Sequence, residues 1–286
     1  MRSKLFVPGS RSELFIKALN SSADAISLDL EDSVVEKRKV EAREKVCTFL
    51  RLPEVTASDK TIIVRVNGRG TAHFEADILA ITQPALDMVN LPKVESASDV
   101  RIAVDILEKA EKLNGQTKEV RILANIETSK GLLSAAEIAT SHPRLAGLQL
   151  GLNDLFESLS IDRRDAKNIH AAMFAMRMAA GEGDVFAYDG AFVDIRDKKG
   201  FRAEATMAYK LGYLGKSCIH PDQVVPSNEV FSPSDDDIAF ALRVLEESKI
   251  AAAEGVGVFT VDGKMIDFPI IRRAEVIVAA CRRVHD

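Results

Sequence analysis

Glu127 and Asp154 each stand just beyond an apolar run, Val120–Ile126 and Leu145–Leu150, and those two runs are consecutive along the chain. If the runs are neighbouring strands, the two carboxylates lie side by side. Two hard oxygen ligands with positions left open for water or substrate are a common way of holding Mg2+. Carboxylates are also favoured at helix N-termini by the helix dipole. The spacing therefore leaves a metal pair and a pair of helix-start acids both open. Three further acids, Asp29, Glu31 and Asp32, crowd the end of the run Ala25–Leu30. Unpaired, they would repel one another, so some are expected to orient a metal's water or to pair with a base such as Lys93 or Arg65. Arg65 lies near the end of Thr61–Val66. Its planar fork suits a carboxylate or a thioester oxygen, and equally an ion pair with the acids just named.

These residues share one position in a repeating unit. Eight apolar runs, Lys4–Val7, Ala25–Leu30, Thr61–Val66, Met88–Leu91, Val120–Ile126, Leu145–Leu150, Val185–Ala187 and Tyr213–Ile219, alternate with helical patterns. Their ends deliver Pro8-Gly9, Asp29 to Asp32, Arg65 to Asn67, Pro92-Lys93, Glu127, Asn153-Asp154, Asp189 and His220-Pro221. A polar loop start is ordinary taken singly. The runs are too continuously apolar for half-exposed strands and read as parallel strands buried on both faces. Between them, Ser96–Lys112 sets Val100, Ala103, Val104 and Leu107 on one helical face, and Ser134–Ser141 and Ala166–Ala180 read similarly. Alternating β and α elements imply right-handed crossovers, and eight strands suggest closure into a (β/α)8 TIM barrel, an α/β fold. The strand ends then converge on one rim, where such barrels carry their active sites. An open doubly wound sheet is the alternative, but no G-x-G-x-x-G turn follows the first run. His220-Pro221 reads first as a packed turn, and Tyr188, Phe192 and Phe201 as core.

The C-terminal part departs from the repeat. Ser234 with Asp237 is an N-terminal capping signal, Ile238, Ala241, Leu242 and Leu245 recur at helical spacing, and Gly255 marks the end. A hairpin is expected from Val258–Val261 and Lys264–Ile266 around Asp262-Gly263, then a helix from about Ile271 to Arg283. The expected organisation is a catalytic barrel over 1–230 and a lid or oligomer-contact segment over 231–286.

Composition bounds the function class. The 286 residues are 47% hydrophobic and 28% charged, as in an ordinary globular protein. A formal net charge of −5 argues against a general nucleic-acid binder. No run approaches a membrane span, and the basic start carries no long apolar stretch or cleavage site. Cys47, Cys218 and Cys281 lie far apart with no metal-type pairing. Reduced thiols in a cytoplasmic protein are the expectation.

The segments Leu5–Gly9, Asp29–Asp32, Val64–Asn67, Leu91–Lys93, Asn125–Glu127, Gly151–Asp154, Gly215–Pro221 with Gln223, and Gly263–Asp267 also occur in an order that is recognisable. From Arg2 to about Ala279 the chain resembles the citrate lyase β-subunit-like family of HpcH/HpaI-type lyases, which includes malyl-CoA and citramalyl-CoA lyases. The resemblance implies a (β/α)8 barrel assembling as homotrimers or hexamers. It implies that Glu127 and Asp154 bind Mg2+, that Arg65 holds the thioester carbonyl, and that Asp29 and Glu31 surround the metal's water shell. It also implies that Asp267 reaches the active site of a neighbouring subunit. Pro8 and Lys93 are expected to face the acyl-coenzyme A substrate with Arg65 and Glu127, while Arg2, Arg11 and Lys17 are candidates for the coenzyme A phosphates. Asn153 departs from the pattern, because citrate lyase β-subunits often carry an acid there.

The activity so implied is Mg2+-dependent cleavage of a β-hydroxyacyl-CoA thioester, of the citramalyl-CoA or malyl-CoA type, to acetyl-CoA and a 2-oxo acid. In it, Arg65 stabilises charge growing on the thioester oxygen and Asp267 moves a proton to or from the acetyl methyl. Two alternatives remain: a citrate lyase β-subunit working on an acyl-carrier protein, and a regulatory protein that binds acyl-CoA without cleaving it.

Overall fold

A computed structural model describes the backbone of residues 1–285 and the side chains of residues 1–279. The chain divides into two compact units, Met1–Phe231 and a smaller one from Ser232 onward.

In the first unit the eight apolar runs form eight parallel strands that close into a barrel. They are β1 (Ser3–Pro8), β2 (Ala25–Asp29), β3 (Thr61–Arg65), β4 (Met88–Leu91), β5 (Arg121–Ile126), β6 (Leu145–Leu150), β7 (Phe186–Ala191) and β8 (Lys216–Cys218). Sequential strands pair in order, and β1 closes the ring on β8 with Ser3 opposite Lys216. The predicted helices follow. Ala97–Leu113 starts where Ser96 accepts from the Asp99 amide, and Ala166–Glu182 starts where Asp165 accepts from two amides. Between β5 and β6 the expected single helix is instead two short ones, Ser129–Leu133 and Ala135–Ala139, broken at Ser134. Ile26, Ile62, Leu148 and their neighbours are fully buried on the barrel wall.

Two strand ends differ from expectation. The seventh run extends through Asp189 to Ala191, so Asp189 sits inside the strand, fully buried, rather than at a polar loop start. The eighth shrinks to Lys216–Cys218. One interaction explains both: Lys216 Nζ donates to Asp189 at 2.6 Å and to Glu204 at 2.8 Å, a buried cluster that needs β7 and β8 side by side at that level.

The second unit holds the helix Asp235–Ala253, the strands β9 (Phe259–Val261) and β10 (Lys264–Ile266), and the helix Phe268–His285. Ser234 and Asp237 form the predicted capping box. Gly255 has φ +72°, and Asp262 and Gly263 have φ 50° and 74°, the left-handed pair that a two-residue hairpin turn requires. Its core is Ala241, Val244, Val261, Ile266 and Ala274. The last helix begins earlier than expected because Asp267 caps it, its carbonyl and Oδ1 both facing the Ile270 amide. Cys281 lies outside the residues whose side chains are described. Among the described residues, no helix is long and apolar enough to cross a membrane.

Candidate active site

The carboxyl ends of the strands surround a cavity of about 410 Å³. Pro8, Asp29, Asp32, Arg65, Glu127 and Asp154 all line it. Six polar or kinked positions, spread over almost 150 residues of chain, thus meet because each ends a barrel strand or lies within four residues of its end.

Arg65 is the most constrained group on this rim. Its Nε and Nη2 donate to the two oxygens of Asp29 at 2.7 and 2.8 Å, a bidentate pair. Nη1 lies 2.9 Å from Glu31 and 3.4 Å from Asp32. The guanidinium also sits 5.2 Å from the centre of the Phe6 ring. The choice between a structural ion pair and a substrate-facing arginine is therefore no choice. Asp29 holds one edge of the fork while the group remains part of the cavity wall. Burial works against the Asp29 carboxylate, but Arg65 beside it holds its pKa below the ordinary value.

Glu127 is 5% exposed. Its Oε1 accepts from the Lys93 amide at 2.7 Å, and Lys93 reaches that position with φ 49°, a left-handed conformation that costs a side-chain-bearing residue energy. On the other side Glu127 rests on Gly151. A Cβ at Gly151 would lie 2.5 Å from the Glu127 Cβ and 2.7 Å from Oε2. Gly151 precedes the helix Leu152–Leu159, whose first turn carries Asp154. Glu127 and Asp154 thus meet where one helix starts, Asp154 in its first turn and Glu127 against the glycine just before it.

Five carboxylates, Asp29, Glu31, Asp32, Glu127 and Asp154, share this rim with two cations, Arg65 and Lys93. Lys93 Nζ lies between the groups, 3.8 Å from Glu31 and 3.9 Å from Asp154. Burial, and then the neighbouring Asp32, Glu127 and Asp29, push Glu31 up to about 8 despite Arg65. Burial also raises Glu127. Glu31 Oε2 is buried and accepts no hydrogen bond, because Arg65 is near but poorly aimed. Such an acid-rich, oxygen-only surface fits a hard divalent ion. Among the described residues no group of three or more His, Cys, Asp or Glu could hold a metal. Two carboxylates with the remaining positions left to water and substrate is what Mg2+ tolerates best.

The other sequence-derived candidates fall elsewhere. Arg2 precedes β1, at the opposite end of the barrel, and its guanidinium is paired with Asp24 at 2.9 Å. Its assignment to coenzyme A phosphates is corrected by that position, since a residue before a strand lies on the face away from the rim. Arg11 is on the rim side but exposed and paired with Glu13 at 2.9 Å. Lys17 is exposed on the helix Phe15–Leu19. His220 caps the turn Pro221–Gln223, as a packed turn would, and Tyr188 and Phe201 are core. Asp267 belongs to the second unit. Sequence reading missed Phe6, Asn125 and Gln149, which also line the cavity. For Phe6 and Asn125 the signal was present: each lies two residues before a selected rim position, Pro8 or Glu127, and so points the same way, whereas Gln149 precedes only Gly151.

Comparison with known proteins agrees with this architecture. The family model described as HpcH/HpaI aldolase/citrate lyase matches residues 2–221. A relative from Cereibacter sphaeroides, L-malyl-CoA/beta-methylmalyl-CoA lyase, is 36% identical over 97% of this chain and 93% of its own length. A second protein of that organism, (3S)-malyl-CoA thioesterase, is also 36% identical, over 93% of this chain and 89% of its own. The crystal structure of CitE from Mycobacterium tuberculosis in complex with magnesium, acetoacetate and coenzyme A superposes with a TM-score of 0.76, is 30% identical, and covers 99% of this chain and 100% of the other.

Proposed function

The chain belongs to the HpcH/HpaI aldolase/citrate lyase family, and from that premise we propose that it is a Mg2+-dependent carbon–carbon lyase. Its substrate is a β-hydroxyacyl-CoA thioester of the malyl-CoA or citramalyl-CoA type, and its products are acetyl-CoA and a 2-oxo acid. The observation that carries this reading is the rim itself. A locked arginine and a pair of oxygen donors face one cavity, and retro-aldol cleavage needs stabilisation of an enolate oxygen and activation of a hydroxyl.

Glu127 and Asp154 would hold the metal, with Asp29 and Glu31 about its water. A bound Mg2+ supplies Lewis acidity toward the hydroxyl and carboxylate oxygens of the substrate. Arg65, held by Asp29, presents its guanidinium to the thioester oxygen, where negative charge grows as the carbon–carbon bond breaks. Its orientation is set before substrate arrives, so little reorganisation is required at that moment. Lys93 offers a further cation beside Glu31 and Asp154, within reach of a substrate carboxylate, and Pro8 and Phe6 close the apolar side. We assign catalysis to residues 1–230 and a lid function to 231–286. Asp267 moves the proton to or from the acetyl methyl, in the active site of a neighbouring subunit of a homotrimer or hexamer.

The test is turnover with product identification. Purified protein should release acetyl-CoA and glyoxylate or pyruvate from malyl-CoA or citramalyl-CoA, lose that activity in chelator, and regain it with Mg2+. The thioesterase among its relatives gives the second reading a specific form. Release of free coenzyme A and an intact hydroxy acid would replace the lyase assignment with hydrolysis.

A further inference from the structure

Gln149 is 4% exposed and yet lines the rim cavity. It sits on β6 directly opposite Asn125 of β5, one inward-facing layer below Glu127 and Gly151. A layer of two residues is about 6–7 Å deep. Beneath it lies Lys4, on β1, fully buried. Lys4 Nζ donates to Gln149 Oε1, and Ser217 Oγ approaches the same oxygen at 3.5 Å. Lys4 itself lines no part of the cavity. Its ammonium end is enclosed by the Phe6 ring at 4.5 Å and the Tyr188 ring at 5.3 Å, which leaves Gln149 as its hydrogen-bond acceptor among the described residues.

This arrangement settles which way the carboxamide faces. A lysine nitrogen with hydrogens to donate requires the amide oxygen, so Nε2 must turn the other way, toward the cavity. Among the described residues nothing accepts from it. Gln149 Nε2 is not among the buried atoms left without a partner, so it opens to the cavity, where water or the oxygen of an entering ligand accepts from it. Burial and the charge of Arg65 drive Lys4 well below the ordinary ammonium range, and the amine retains N–H donors in either protonation state.

We propose that Gln149 is a specificity-determining residue whose Nε2 donates to an oxygen of the substrate's acyl portion, and that Lys4 is the positioning residue that holds the carboxamide in that orientation. The identity of the ligand rests on the lyase reading above: the acceptor is a keto or carboxylate oxygen of the 2-oxo acid half. A substrate with a methyl group in that place leaves Nε2 unpaired and is discriminated against far more strongly than by fit alone.

Two variants test this without stranding a buried charge. Gln149→Glu keeps an acceptor for Lys4 but removes the cavity-facing donor. Lys4→Met with Gln149→Met replaces both partners with apolar groups of similar length. Calorimetry with Mg2+-loaded protein should show Kd for pyruvate or glyoxylate weakened by about tenfold or more in both, the loss of one hydrogen bond to a charged partner. Affinity for Mg2+ and for acetyl-CoA should stay within about twofold of the native protein. Unchanged oxo-acid binding in the variants overturns the proposal, as does a native protein that binds no oxo acid. So does an equal loss of Mg2+ affinity, which would mean that Gln149 only props the acids above it. Turnover of the native protein on hydroxyacyl-CoA esters is read separately. Its absence beside Gln149-dependent oxo-acid binding sinks the lyase reading and leaves this one standing.

Discussion

Arg65 is bound by Asp29 along one edge of its fork and still lines the cavity. Asp29 takes two of its donors, and the side chain is only 14% exposed, so Arg65→Lys should disturb both the wall and the chemistry. A lysine keeps the charge but cannot bridge both Asp29 oxygens while facing the cavity. We expect kcat to fall by about 10²- to 10³-fold, the usual loss for one oxyanion donor. The melting temperature should fall by only a few degrees, roughly what a loss of about 1 kcal/mol produces. Near-normal kcat in the folded fraction would show the residue to be structural alone. Glu31 gives a pH signature. Its carboxyl is held at about 8 against an ordinary 4.5, so the folded chain keeps a proton that the unfolded chain has shed. Stability from this group is full below about 4.5 and is lost as pH rises through about 8. Thermal melts of chelator-treated protein should therefore decline across that window, and Glu31→Gln should flatten the decline. A Glu31→Gln variant with the same slope as the native protein would assign the titration to another group.

At the scale of the element, the strand-to-helix turns position the chemistry. The turn after β6 places Gly151 against the Glu127 side chain with no room for a methyl group. Gly151→Ala must displace either the Glu127 carboxylate or the start of the helix that carries Asp154. Mg2+ affinity measured by calorimetry should drop by about tenfold or more, as when an outer-shell support of a metal ligand is lost. The fold should survive, because the clash is local to the rim. If Mg2+ binds Gly151→Ala as tightly as native protein, the ion is not held at this turn. Lower in the barrel, Lys216 joins Asp189 and Glu204, and Glu204 accepts from Arg163, whose Nε donates to Asn153 at 3.0 Å. Asn153 is thus tied to the barrel interior beside the metal-ligand candidate Asp154. That is a role for the amide at the position where the resemblance led us to look for an acid.

For the whole molecule, the open question of chemistry is where Asp267 acts. It caps a helix in the second unit, a part of the chain that the barrel does not need for closure. We expect a homo-oligomer in which this acid completes a neighbour's site, and cyclic symmetry lets every subunit give and receive one lid. Asp267→Asn and Glu127→Gln proteins should each be nearly inactive. Mixed and reassembled, they should regain turnover, because some sites then combine an intact barrel with an intact lid. Failure of every mixing ratio to restore activity would place Asp267 over its own barrel or outside catalysis.

The eight apolar runs were legible in the sequence because strands buried on both faces leave no polar alternation, and their alternation with helices pointed to a parallel sheet whose eight strands suggested closure. The rim followed from that: Arg65, Asp29, Glu127 and Asp154 were identifiable as strand-end residues before their partners were known. The capping box at Ser234 and the Asp262-Gly263 turn were legible too, since both depend on neighbours a few residues apart. What lay beyond reach were the pairings across the barrel. Arg2 looked like a base for the coenzyme A phosphates until the fold put it beside Asp24 at the far end, and Asp189 looked like a loop acid until Lys216 drew it inside a strand. Lys4 and Gln149 stand 145 residues apart, and nothing local marks either one. Only closure brings the first strand against the sixth through the interior, and only there does a buried lysine decide which face of an amide turns to the cavity.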